Sequence, residues 1–172
     1  MTLDRNTIEE IGYKSSFENV NIDTSYLQNQ FKTACIFLKL PLIKLSFINF
    51  LGTSSYYNEL KNEIVINLNP KEALEGINQL KYSNIFISDS QYFILFCLYH
   101  ELGHHLQQTK FTKWWLNFVP TARNFIYKID YYNTKSIHML YREYRQLKVE
   151  HNADKIAIIC MKKFHSNYWR SL

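Results

Sequence analysis

The chain has 172 residues, 47% apolar and 16% aromatic, with a net charge of +5. That length buries one good core and leaves little room for two, and four Gly and three Pro exclude a low-complexity linker. No apolar run is long enough to span a bilayer and no basic-then-apolar leader opens the chain, so one cytoplasmic domain over residues 1–172 is expected.

Residues 25–40 carry an amphipathic helical pattern that stops before Pro41. Residues 43–48 begin by alternating apolar and polar positions, which predicts a strand. Gly52-Thr53-Ser54-Ser55 reads as a turn. Residues 63–68 are β-branched and end at Asn69-Pro70, a second strand. A short helix over 70–80 and a brief extended piece over 85–87 follow. Cys35, Cys97 and Cys160 are widely spaced and odd in number, so they read as buried thiols rather than a disulfide frame.

Ser88-Asp89-Ser90-Gln91 fits a capping box, with Ser88 at the N-cap and Gln91 three residues on. The next eight residues, Tyr92 through Tyr99, are apolar on every side, as in a helix buried at the centre of a domain. His100-Glu101-Leu102-Gly103-His104 continues that helix. Residues four apart share a face, so His100 and His104 can offer two imidazole nitrogens to one metal ion. Glu101 can reach a water beside it. His-Glu-x-x-His is the local chemistry of a zinc hydrolase, two ligands and a general base. Gly103 costs helix stability, about 1 kcal/mol relative to Ala, and predicts the close approach of another backbone or of substrate.

A catalytic zinc site needs a third protein ligand. Residues 135–164 read as one long helix, in which Leu147, Glu150, Ala153, Asp154, Ala157 and Met161 form one stripe. A carboxylate on a core-facing stripe is costly unless paired or bound to metal. Glu150 is therefore the third ligand, the alternative being a pair with Arg or Lys at the stripe edge. Glu143, two turns earlier, is the second choice. Asp154 suits the role of accepting the other ring N–H of a ligating His. Cys97 precedes His100 by three residues, but the two histidines already account for that face. His/His/Glu with an open position suits Zn2+.

These residues resemble a known family. His100-Glu101-Leu102-Gly103-His104, followed by Glu150-His151-Asn152-Ala153-Asp154-Lys155-Ile156-Ala157, is similar to the paired motifs HE-x-GH and E-x-x-A-[DN]-x-x-A of the ImmA/IrrE metallopeptidases, over residues 61–161. The resemblance implies an α+β, minimal zincin-like (gluzincin-like) fold: a small antiparallel or mixed sheet packed on the HExxH helix and on a C-terminal helix bearing the third ligand. It implies His100, His104 and Glu150 as zinc ligands and Glu101 as catalytic base. It also implies a zinc endopeptidase that cuts a regulatory protein, such as the transcriptional repressor of a phage or mobile element. A strand edge beside the active helix would bind substrate by strand addition, and residues 64–68 are the expected edge.

The stretch 111–132 departs from that signature. Trp114, Trp115, Phe118, Phe125, Tyr127, Tyr131 and Tyr132 suit packing or a rim for peptide side chains. Lys110 and Lys113 beside the tryptophans also suit an interfacial membrane contact. Net charge is −1 over residues 1–60, −2 over 61–109 and +8 over 110–172. A basic half can steer an acidic partner or nucleic acid, although no nucleic-acid-binding fingerprint is present and a solvated face is favoured. The alternative function is a zinc-bound, non-proteolytic module that binds a protein or nucleic acid. The oxyanion donor is open among His105, His138, Tyr141 and Tyr144, and His151 and His165 read as surface or packing residues.

Overall fold

The computed structural model describes residues 23–81, 84–87, 89–131 and 137–169. Asp23 accepts the Ser25 N–H and opens helix α1, Thr24–Leu38, whose buried stripe is Leu27, Phe31, Ala34 and Cys35. Lys39 closes it in the left-handed region, at φ 54°, with its N–H on the carbonyls of Cys35 and Ile36, a cap of the kind that stops a helix sharply.

Three strands follow: β1, Lys44–Ile48, β2, Tyr56–Asn58, and β3, Glu63–Asn67. They form one mixed sheet in the order β1-β3-β2. β1 runs parallel to β3, with Leu45 opposite Ile64, and β2 runs antiparallel, with Tyr57 also opposite Ile64. This corrects the expectation that residues 64–68 form a free edge. All five residues of β3 are buried, and a strand paired on both sides cannot add a third. The free edge on the side of the buried histidines is that of β2, too short a strand to carry an alternation.

Helix α2, Pro70–Lys81, precedes α3, Ser90–Lys110. The cap of α3 is Asp89, whose carboxylate accepts the N–H groups of Gln91 and Tyr92. The predicted cap, Ser88, lies outside the described residues. An anion at a helix N-terminus also complements the macrodipole, which favours Asp for this position. Helices α4, Thr112–Tyr131, α5, Ile137–Gln146, α6, Lys148–Phe164, and α7, Ser166–Trp169, complete the chain.

The single helix expected over 135–164 is two. Leu147 has an extended backbone, φ −59° and ψ 138°, between α5 and α6. The aromatic stretch 111–132 is largely the helix α4. The outcome is an α+β, mostly helical molecule with a small three-stranded mixed sheet.

Helix α3 is the centre of the molecule, in contact with β2, β3, α1, α2, α4 and α6. Ile94, Leu95, Phe96, Leu98, Tyr99 and Leu102 are all essentially fully buried, the burial predicted by a helix apolar all round. The closest packing is against α6. A Cβ on Gly103 would lie 2.8 Å from the Ala153 Cα, so the glycine lets two backbones touch. No helix among the described residues is long and apolar enough to cross a membrane.

Candidate metal centre

Helix α3 presents His100 and His104 one turn apart, and the N-terminal turn of α6 brings Glu150 to them. The three are 6%, 8% and 5% exposed. His100 Nε2 lies 3.1 Å from His104 Nε2 and 3.2 Å from Glu150 Oε2, and His104 Nε2 lies 3.6 Å from Glu150 Oε1. Zinc bonds of about 2.0–2.1 Å at tetrahedral angles would set donor atoms about 3.3–3.4 Å apart. The observed spacings bracket that value, so the residues fit a metal ion, and they are the one such group found among the described residues.

The outer contacts decide which nitrogens face inward. His100 Nδ1 lies 2.8 Å from Asp154 Oδ1, and His104 Nδ1 lies 3.3 Å from Gln107 Oε1. Each Nδ1–H thus has an acceptor, and each Nε2 lone pair is left pointing at the other and at a carboxylate. Three electron-pair donors facing one another in a buried place require a positive charge between them. Without a metal that charge is a proton. Burial pushes the His100 imidazole down, but the bonds to Asp154 and Glu150 outweigh it and push it up to about 10. The Glu150 carboxyl is likewise pushed up by burial, and the His104 and His100 imidazoles outweigh this and hold it well below the usual carboxylate range.

Asp154 is itself held by Arg145, with Nη1 2.7 Å from its Oδ1. Gln107 is held by donating to the Val149 carbonyl at 2.9 Å. Sequence reasoning missed Arg145. On a continuous helix residues 145 and 154 would stand about 13.5 Å apart along the axis. The break at Leu147 folds α5 back and closes that gap. Gln107 was also missed, although its place three residues after His104 was a legible signal.

Glu101 is 7% exposed. No hydrogen bond or ion pair of its carboxylate is found among the described residues, and it lines both cavities that meet at the donor group. One, of about 160 Å3, runs past Thr53, Asn67, Glu72 and Gln79. Its loop wall is pinned by buried Asn67, whose Nδ2 donates to the carbonyls of Phe50 and Thr53. The other, of about 210 Å3, runs past β2 and α4. Tyr144 lines both. Burial, and then the charge of Glu150 and a hydrogen bond to it, hold the Tyr144 phenol well above its ordinary value, so it remains a donor.

The other residues weighed from the sequence fall outside the donor group. Glu143 and Cys97 are not members of it, and burial pushes the Cys97 thiol up to about 12, which keeps it protonated. His105 is buried but turned away, with Nε2 3.3 Å from the Pro41 carbonyl and Nδ1 near Tyr57 and Thr109. His151 is exposed. His165 packs beside Tyr99, its Nε2 3.0 Å from the phenol oxygen. The side chains of His138 and Tyr141 lie outside the described residues. Trp115 is buried with its ring 5.7 Å from that of His104, so it is a wall of the site and not a membrane contact. No family model, curated protein or solved structure matches the chain.

Proposed function

We propose that the protein is a zinc-dependent endopeptidase acting on a regulatory protein, in line with the resemblance of its two motifs to the ImmA/IrrE metallopeptidases and with a zincin-like reading of the fold. The observation that carries this is the buried carboxylate of Glu101, without a hydrogen bond or ion pair among the described residues, beside a three-donor group that opens on a cleft. A purely structural metal site is closed by a fourth protein ligand, and a pure binding module has no use for that carboxylate. His100, His104 and Glu150 would hold the ion, which supplies polarisation of a carbonyl and a lowered pKa for water when bound.

The chain's own groups account for the rest. Substrate lies extended along the free edge of β2. Glu101 accepts the proton of the attacking water and returns it to the leaving amine. Tyr144 turns its O–H from Glu150 to the oxygen that gains charge at the scissile carbon. Asp154 and Gln107 keep both ligating imidazoles in the tautomer with Nε2 bare.

Zinc content and the fragments formed in cells test this together. Wild type should bind about one zinc ion per chain. Glu101→Gln should keep the metal and lose cleavage by about 10²–10⁴-fold, and His104→Ala should lose the metal. An unchanged fragment pattern and full biological effect in Glu101→Gln would leave the non-proteolytic binding module as the better reading.

A further inference from the structure

We infer that a cavity behind the donor group binds the phosphate of a small phosphate monoester, and that Arg145 couples its occupancy to the metal. The inference does not depend on the peptidase reading. The break at Leu147 folds α5 back on α6, and the two helices wall a cavity of about 310 Å3. Arg142, Arg145 and Gln146 line it from α5, and His151, Asp154, Lys155 and Ile158 line it from α6. On each helix these positions recur at the three- and four-residue steps of one face. Asn84 and Ile85, ahead of α3, complete the wall. The volume falls within the roughly 300–1,000 Å3 of small-molecule pockets.

Charge decides what enters. Arg142, Arg145 and Lys155 bring three cations, and Asp154 is the one carboxylate in the lining. No ion pair of Arg142 or Lys155 is found among the described residues. Arg145 gives Nη1 to Asp154 at 2.7 Å, and no acceptor for its other N–H groups is found among the described residues. A guanidinium is a planar fork of donors that fits a pair of phosphate oxygens. With His151 neutral, the excess of two positive charges matches a phosphate monoester, which is close to a dianion at neutral pH. Gln146 and His151 put the cavity beside the start of α6. No side chain caps that helix, so the positive end of its dipole adds to the attraction. Ile85 and Ile158 leave an apolar side for the organic part of the ester.

Arg145 also lines the cleft beside the donor group, with Nη1 3.3 Å from His100 Nδ1. Its charge therefore opposes a metal ion held by His100. An anion in the rear cavity offsets that charge through the donors that Asp154 does not use. Metal and anion then strengthen each other's binding, by the same factor in both directions.

Calorimetric titration of the zinc-loaded chain with phenyl phosphate tests this without any peptide cleavage. Saturable binding at one site per chain is expected. Phenyl sulfate, a monoanion of the same shape, should bind about tenfold more weakly or worse. Arg142→Gln combined with Lys155→Gln removes two cations outside the donor group. It should weaken phenyl phosphate by about tenfold or more while zinc content stays at the wild-type level. In competition against a chelator, saturating phenyl phosphate should raise zinc affinity about fivefold or more in wild type and not in the double variant. No saturable binding, equal binding of ester and sulfate, or binding untouched by the double variant overturns the site, the last by placing the anion on the metal. Unchanged zinc affinity at saturation overturns the coupling through Arg145. Retention on vesicles containing phosphatidic acid, with no binding of free phenyl phosphate, would assign these cations to a membrane surface and overturn the cavity site as well.

Discussion

Helices α3 and α4 follow one another and are almost equal in length, 21 and 20 residues, but they do different work. α3 is apolar all round, buried along most of its length, and carries two imidazoles and a carboxylate. α4 is amphipathic, includes Pro120 and leaves Leu116 65% exposed. Every nitrogen of His100 and His104 on α3 has a specified neighbour, whereas α4 lines the adjoining cavity with Trp115, Val119, Ala122 and Arg123. A buried charge must have partners at fixed distances, which ties α3 to α6 through Asp154 and Gln107, and α6 to Arg145 of α5. A cavity wall needs only volume, so α4 can vary without disturbing the donors.

That division can be broken from the α3 side first. Asp154→Asn removes the anion between His100 and Arg145, and metal affinity should fall about 10–100-fold in competition against a chelator. An affinity as high as wild type would mean that the tautomer of His100 is set elsewhere. Gly103→Ala places a Cβ against the Ala153 backbone. Overpacking costs about 1–3 kcal/mol against about 1 kcal/mol gained in helix propensity. A net loss near 1 kcal/mol in denaturant unfolding is expected, together with weaker metal binding. A gain in stability would show that the two helices part freely.

From the α4 side the effects should be smaller. Trp115→Phe removes the N–H bond to Glu59 and should cost about 0.5–1.5 kcal/mol, with metal affinity unchanged. A fall in metal affinity would erase the distinction between donor helix and wall helix. The smallest effect comes from His165, which packs beside Tyr99 of α3 outside the donor group. Burial holds the His165 imidazole below its ordinary value, so the folded protein resists protonating it. The unfolded chain takes that proton as pH falls below about 6.5, and the stability His165 contributes is lost progressively from there downward. His165→Gln should flatten stability between about pH 5 and 6.5, measured by denaturant titration.

Much of α3 was legible because its determinants are local. The His-Glu-x-x-His spacing, the apolar surround and the need for a small residue at 103 all lie within about twenty residues. Glu150 and Asp154 were also legible, because a carboxylate on an apolar stripe is conspicuous. The parts that were not legible depend on where the chain turns. Leu147 carries no breaker chemistry, so the end of α5 and the arrival of Arg145 at Asp154 follow from tertiary contacts. The central position of β3 required knowing that three residues of β2 pair beside it. Helix α4 was hidden by its aromatic content, which fits a strand or a rim as readily as a helix.

Glu150 stands 50 residues from His100 along the chain. An ion held by both would close a loop of that length, and such a closure lowers the entropy of an unfolded chain by an equivalent of about 4 kcal/mol in the cross-link model. With an ion bound, the donor group would be a reversible staple across the molecule, in addition to the reactive role proposed for it. Metal supply would govern how long the fold persists, and a chain stripped of its ion would be the form most readily cleared by proteolysis.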